Sequence, residues 1–404
     1  MKAHTLAQAE QLLHEHPLCD SCLGRLFRKE IIKGSNAEKG QWIRTQLQQK
    51  HKIPAKECWL CEGLTDEIHH FIDLITIALN EYEFDTFLIG SKIDEDIQEK
   101  EQQLWDQLSF EDAEPIKMEI NREIGKILEP QLKKTVDIPN PDIMAVIDTV
   151  YDRVTLQISS LFIYGRYKKL QRGIPQTKWP CQICQGKGCK RCDYTGKLYE
   201  TTVEELIAKK ALELTQGTDE SFHGSGREDI DARMLGTGRP FVLEVKNPKK
   251  RNIDLSLLEK ETNNTLKNII EISCLRFSNR EEIARIKAAE FRKTYRVTLE
   301  AAQPLNKEKL IKVAQSLQGQ LIKQLTPTRV AHRRANKIRE RLIYNCTIES
   351  VEGIIAILTL ETESGTYVKE LVSGDNDKTQ PNLSELIGIP CKVKELDVID
   401  VKGE

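Results

Sequence analysis

Eight of the eleven cysteines fall in four Cys-x-x-Cys pairs, Cys19/Cys22, Cys58/Cys61, Cys181/Cys184 and Cys189/Cys192. This spacing constrains the chain more than any other feature. Two thiolates on one tight turn supply half of a tetrahedral zinc site, and a second such turn completes it. Cys181-Gln-Ile-Cys-Gln-Gly-Lys-Gly-Cys-Lys-Arg-Cys192 is locally closed, with Gly186 and Gly188 placed where the chain has to turn back on itself. The competing reading of one pair is a redox dithiol. Four pairs in an intracellular chain favour metal binding. The N-terminal pairs stand farther apart, and the expectation is that they share a second ion. With four thiolates each, both sites are structural Zn2+ sites without an open position for water. Cys274, Cys346 and Cys391 read as small core residues.

At 404 residues the chain is long for one core, which predicts two or three domains. Apolar residues at 39% and charged residues at 30% exclude a disordered chain. No apolar run approaches the length that spans a bilayer. Met1-Lys-Ala-His-Thr lacks the pattern of a secretory leader. The expected location is therefore cytoplasmic. A net charge of −2 argues against a nucleic-acid partner, but the charge is segregated. Lys323 to Arg341 holds seven Lys or Arg and one acid, and Arg166 to Lys197 is a second basic run. The acids concentrate elsewhere, as in Asp94 to Glu101 and Asp106 to Glu114. One basic run is most simply a solvated helix face. Two runs beside cysteine and glycine motifs point towards RNA phosphates.

Periodicity predicts an α+β chain. Strands are expected at Phe84–Ile93, Lys117–Ile120, Asp142–Ile147, Val154–Ile158 and from Leu161. A helix capped by Asn121 is expected over 121–128. The predicted division is 1–66, a cysteine-pair zinc region; 67–175, an α+β domain; 176–200, a zinc knuckle; and 201–404, a mixed sheet with helices on one side. In the last part a helix over 202–214 precedes strands at Val242–Val245, Tyr295–Glu300, Gln318–Leu325, Ile343–Ser350, Ile354–Glu361 and Val393–Val401. Helices are expected at Leu255 to about Glu271 and at Asn306–Leu317.

The densest unusual stretch is His223-Gly-Ser-Gly-Arg-Glu-Asp-Ile-Asp231, continuing to Pro240. A nucleotide-binding loop fails on detail, because no Lys-Ser/Thr follows the glycines and Gly224-x-Gly226 lacks its third glycine. An exposed charged loop is the plainer alternative, yet charges held on glycine turns more often mark a site. An acid beside Arg227 stays ionised at neutral pH, as a nucleophile requires.

Gly226-Arg-Glu-Asp229 resembles the Gly-Arg-x-Asp signature of pseudouridine synthases. The wider string Phe222 to Phe241 resembles the archaeal and eukaryotic family that modifies the T arm of tRNA. Leu325-Thr-Pro-Thr-Arg-Val-Ala-His-Arg-Arg-Ala335 resembles that family's basic segment. Gly365-Thr-Tyr-Val-Lys-Glu370, Gly374-Asp and Thr379-Gln-Pro-Asn382 resemble its C-terminal motif. Asn121-Arg-Glu-Ile-Gly-Lys126 and Ile163-Tyr-Gly-Arg-Tyr167 look like its RNA-binding THUMP domain, and the 181–192 knuckle looks like its archaeal branch. The resemblance implies a zinc-stapled THUMP region and a C-terminal pseudouridine-synthase sheet with flanking helices. It implies isomerisation of uridines 54 and 55 of tRNA, with tRNA as partner, no membrane and no obligate protein partner.

Residue by residue, the resemblance implies that Asp229 is the catalytic aspartate, with Asp231 as internal rival. It implies that Tyr295 lies against the target base, that Tyr367 lines the pocket, and that Lys369 pairs with the aspartate. Arg227 joins them as a substrate-binding residue. Isomerisation needs neither redox chemistry nor energy input, so no organic cofactor is expected. A stacked uridine has to be flipped out to react. The rival readings are a THUMP-containing thiolase or methyltransferase, a non-catalytic zinc-containing RNA-binding protein, and a zinc-stabilised adaptor. The first needs an ATP-binding or methyl-donor loop that is not found. The second has no use for the Gly-Arg-x-Asp loop, and the adaptor is the weakest of the three.

Overall fold

Apolar spacing explains most of the secondary structure in the computed structural model, which describes residues 3–28, 34–49, 52–108, 113–331 and 334–402. The chain divides into two compact units. One comprises residues 1–160 with 248–251, the other 161–247 with 252–404.

The first unit opens with helices α1 (Ala3–Glu15), α2 (Asp20–Leu26) and α3 (Asn36–Gln46). A Cβ on Gly24 would fall 1.8 Å from the Asn36 carbonyl oxygen, and one on Gly40 would fall 1.9 Å from that of Asp20. Glycine is thus what lets α2 and α3 touch backbone to backbone. Helix α4 (Ile68–Leu79), strand β1 (Thr86–Lys92), helices α5 (Glu95–Leu108) and α6 (Ile116–Leu132), and strands β2 (Thr135–Val136), β3 (Ile143–Asp148) and β4 (Arg153–Ile158) follow. The sheet runs β2-β1-β3-β4, with β1 parallel to β2 and β3, and β4 antiparallel to β3. Two expectations need correction here. Lys117–Ile120 is not a strand, and Asn121 caps nothing; both lie inside α6, whose N-cap is Pro115. The governing signal is the i, i+4 row Ile116, Ile120, Ile124 and Leu128, all wholly buried.

In the second unit the elements are β5 (Leu161–Lys169), α7 (Val203–Thr215), β6 (Asp219–Gly224), β7 (Arg233–Lys246), α8 (Leu255–Thr265), β8 (Ile270–Ser278), α9 (Arg280–Ala288), β9 (Lys293–Ala301), α10 (Lys307–Leu317), β10 (Leu321–Gln324), β11 (Arg339–Glu352), β12 (Ile355–Thr362), α11 (Val368–Ser373), β13 (Thr379–Gln380), α12 (Leu383–Ile387) and β14 (Cys391–Val401). Among the described residues they form a ten-stranded mixed sheet ordered β13-β10-β11-β12-β9-β14-β7-β5-β8, with β6 paired to β7. Strand β5 is a full member of this sheet, bonded to β7 and β8. The first unit therefore ends at Ser160 rather than near 175, and Ile163–Tyr167 belongs to the second unit, not to the RNA-binding domain assigned above.

The helix expected to run to Glu271 stops at Thr265. Asn263 then hydrogen-bonds both backbone groups of Ile272 and starts β8 beside it. Helices do not keep to one side. Phe241 and Leu243 pack in the main core with α7, whereas Val242, on the opposite strand face, packs with Tyr164 and Ile286 of α9. Cys346 and Cys391 are buried as expected; Cys274 is exposed, at a φ of 58° on β8.

Candidate active site

The glycine-and-charge stretch proves to be mostly strand. Its ends pair as the antiparallel strands β6 and β7, leaving residues 225–232 as a short loop between them. Gly226 turns the loop at a φ of 71°, a backbone conformation that costs a side-chain-bearing residue strain. What holds the loop lies beneath it. The fully buried Glu228 carboxylate accepts hydrogen bonds from Tyr167 Oη (2.8 Å) and Arg239 Nε (3.0 Å), with Lys169 Nζ at 3.7 Å. Burial alone would raise the Glu228 pKa, but the Arg239 and Lys169 charges outweigh it and hold the group below the ordinary glutamate value. Lys169 Nζ also donates to the carbonyls of Asp229 (3.2 Å) and Ile230 (3.1 Å). Arg239 Nη1 donates to the carbonyl of Ser225 (2.8 Å), and Gln176 Nε2 to that of Gly226 (3.0 Å). A loop of polar backbone is thus fastened from beneath at four of its eight residues, three of them to buried cations.

The Asp229 side chain leaves this anchored backbone and enters a cavity of about 450 Å³. Arg329 Nη1 donates to Asp229 Oδ1 at 3.0 Å, and Lys369 Nζ lies 3.5 Å from Oδ2. Arg329 is itself aimed by Glu370, whose carboxylate accepts from Nε at 2.6 Å. Lys369 sits closer to Asp231, at 2.7 Å. Burial acts against ionisation of Asp231, yet this bond from Lys369 depresses its pKa overall. Its side chain is 69% exposed, against 27% for Asp229. Between the two rival acids, Asp229 is the one that lines the cavity.

Arg227, Tyr295, Tyr367 and Lys369 line the same cavity as Asp229. Every site residue singled out in the sequence, the metal ligands aside, therefore converges on one place. Tyr295 projects from β9 and is 8% exposed; burial pushes its phenol up to about 12, so it stays neutral. Arg227 stacks over Trp179 at 5.3 Å from the ring centroid. Four residues were missed. Arg329 was read only as part of a basic run, whereas it is the closest cation to Asp229. Glu228, Arg239 and Lys293 carried no signal beyond being charges in or near strands. Arg334, Arg339 and Arg341 line the cavity as well. His332 and Arg333, part of the same basic segment, lie outside the described residues.

The cysteines form two four-sulfur clusters, Cys19/Cys22/Cys58/Cys61 and Cys181/Cys184/Cys189/Cys192, with all Sγ atoms of a cluster within 4.8 Å of one another. The Cys19–Cys61, Cys181–Cys189, Cys184–Cys192 and Cys189–Cys192 separations are 3.7–3.9 Å. A tetrahedron with Zn–S bonds of about 2.3 Å has edges of about 3.8 Å, whereas a disulfide would bring two sulfurs to about 2.05 Å. The donor set and spacing fit structural zinc. Backbone N–H groups of Gly188 (3.2 Å) and Gly196 (3.3 Å) point at Cys184 and Cys192 sulfurs, a pattern that favours thiolates. Trp179, which precedes the second cluster, borders the recess that holds Asp229 and Asp231.

Comparison with known proteins bears on both units. A family profile described as "Pus10, C-terminal" matches residues 162–402, and one described as "Pus10 THUMP domain, archaeal" matches residues 71–148. The tRNA pseudouridine synthase Pus10 of Methanothrix thermoacetophila is 38% identical, over 98% of this chain and 94% of its own length. That of Archaeoglobus fulgidus is 41% identical over 86% of this chain and 96% of its own. Among solved structures, a chain of a Cbf5–Nop10–Gar1 complex is 14% identical over 58% of this chain and 47% of its own, with a TM-score of 0.33, too slight a likeness to carry an argument.

Proposed function

The chain belongs to the archaeal Pus10 family of tRNA pseudouridine synthases, and from that premise we propose that it isomerises uridines 54 and 55 in the T arm of tRNA, with Asp229 as the catalytic carboxylate. One observation supports this reading above the rest. A carboxylate on a rigidly anchored loop, held by two cations, shares a cavity with a buried tyrosine. In the reaction the N1–C1′ bond breaks, the base turns, and C5 bonds to C1′. The C5 proton is lost and N1 gains one, so atoms and charge balance with no cofactor. Asp229 is oriented by Arg329 and Lys369, ready to act on the ribose, the base or the C5 proton.

Tyr295 stacks on the flipped uracil, Tyr367 closes the pocket, and Arg227 holds the flanking backbone. Arg334, Arg339 and Arg341 take phosphates at the mouth. Residues 67–160 bind the tRNA body, and 161–402 carry the reaction. Both zinc ions are structural, the protein acts as a single chain in the cytoplasm, and none of its described helices is long and apolar enough to cross a membrane.

The test uses an unmodified tRNA transcript, treated after reaction with carbodiimide and alkali and read by reverse transcription. Stops at both T-loop uridines with wild type and none with Asp229→Ala are expected. Stops elsewhere would reject the assignment of positions. No stops despite tight tRNA binding would favour a non-catalytic RNA-binding protein.

A further inference from the structure

Lys293 is the one buried charge at the cavity whose position the scheme above leaves without a purpose. It opens β9 two residues before Tyr295, so both side chains leave the same face of the strand, and both line the cavity. It is 8% exposed. The only hydrogen-bonding contact of its ammonium among the described residues is a long one, 3.5 Å to Ser364 Oγ, and no salt-bridge partner accompanies it. A lysine so buried ordinarily finds a carboxylate. Its location is central. A Cβ built on Gly226 would lie 3.4 Å from Lys293 Nζ and 3.5 Å from Arg239 Nη1, which puts both cations under the loop that carries Asp229.

The local charge does not balance. Lys169, Arg239 and Lys293 are buried around the single buried carboxylate Glu228, and Arg239 and Lys169 already engage that carboxylate. The remaining charged or titratable groups lining the cavity are Asp229, occupied by Arg329 and Lys369, the neutral Tyr295, Tyr367, and Arg227, Arg334, Arg339 and Arg341. A buried pocket floor with an excess of positive charge suits a ligand that becomes negative inside it. Uracil does so when the glycosidic bond breaks, because the N1–C1′ electron pair passes into the ring and spreads over N1 and the two carbonyl oxygens.

We propose that the Lys293 ammonium donates a hydrogen bond to a carbonyl oxygen of the flipped uracil and stabilises the negative charge of the departing base. This rests on the pseudouridine synthase reading. Lys293 keeps its three protons throughout; the proton leaving C5 and the proton arriving at N1 move elsewhere. The cation is needed, and it is only marginally held: burial first, and Arg239 second, pull its pKa down to about 7, with Glu228 opposing. The free enzyme therefore loses the active form as pH rises through that region.

The experiment measures single-turnover tritium release from tRNA carrying [5-3H]uridine, between pH 5.5 and 9, for wild type, Lys293→Met and Lys293→Arg, with tRNA affinity by filter binding. Loss of one preorganised donor should slow Lys293→Met by about 100-fold or more while affinity stays within about threefold. The wild-type kcat/KM should fall as pH rises above about 7, and Lys293→Arg, which stays charged, should lack that fall. Lys293→Met activity near wild type, or the same descending limb in Lys293→Arg, would overturn the proposal. Should the Met variant fail to fold, the Arg profile decides alone. Wild type without any activity would instead indict the functional reading itself.

Discussion

Replacing Glu228 by Gln tests whether the buried cluster beneath the loop is what holds the Asp229 carboxylate in place. The change conserves shape and leaves an acceptor for Tyr167, but it removes the only buried negative charge facing Arg239 and Lys169, which are 1% and 0% exposed. Breaking a buried pair by removing one partner costs about 3–5 kcal/mol. A domain this size shifts by roughly 2–4 °C per kcal/mol, so a fall of roughly 6–20 °C is expected by calorimetry. The folded-state pKa of Glu228 is depressed, so its contribution is fully present above the unfolded value of about 4.3 and is lost as pH falls through the lower folded value. The variant should accordingly lose less stability than wild type on acidification. Adding Lys169→Met should recover part of the loss, because one orphaned cation is then gone. A melting temperature within 2 °C of wild type, with an unchanged acid limb, would refute the argument that this carboxylate is the keystone.

Two further outcomes follow from the site. Arg329→Met should reduce the rate of pseudouridine formation more than Lys369→Met, since Arg329 makes the 3.0 Å bond to Asp229 while Lys369 is mainly engaged by Asp231; single-turnover rates of the two variants check the order. Elemental analysis should find two zinc ions per chain, and Cys181→Ser with Cys184→Ser should remove one of them and lower the melting of the second unit alone.

The parts most legible in the sequence were those where chemistry is local. Both cysteine clusters and the Gly-Arg-x-Asp loop are short segments whose geometry is set within a few residues. What escaped was set over long distance. Arg329 stands 100 residues from Asp229 in the chain and looked like any member of a basic run, until Glu370 turned it inward. Glu228 fills the motif's unspecified position, and its importance arises only from burial beside Arg239. Local signals were also misread. The row Ile116, Ile120, Ile124 and Leu128 was readable as a helix, but four residues of it alternate like a strand. Leu161–Lys169 follows the four strands of the first sheet, so nothing local tells that its hydrogen bonds go to β7 and β8 instead.

The placing of β14 bears on how the enzyme is made. Last of the sheet's strands in chain order, it is the interior strand between β9 and β7, joining the one that bears Tyr295 to the one that follows the loop carrying Asp229. During synthesis every other strand leaves the ribosome first, so the two halves of the sheet wait with open edges until residues 391–401 emerge. A nascent chain then has Asp229 and Tyr295 in separate, unjoined pieces. The cavity they line can close only after residues 391–401 have emerged, which ties assembly of the site to the sheet's last strand rather than to either half alone.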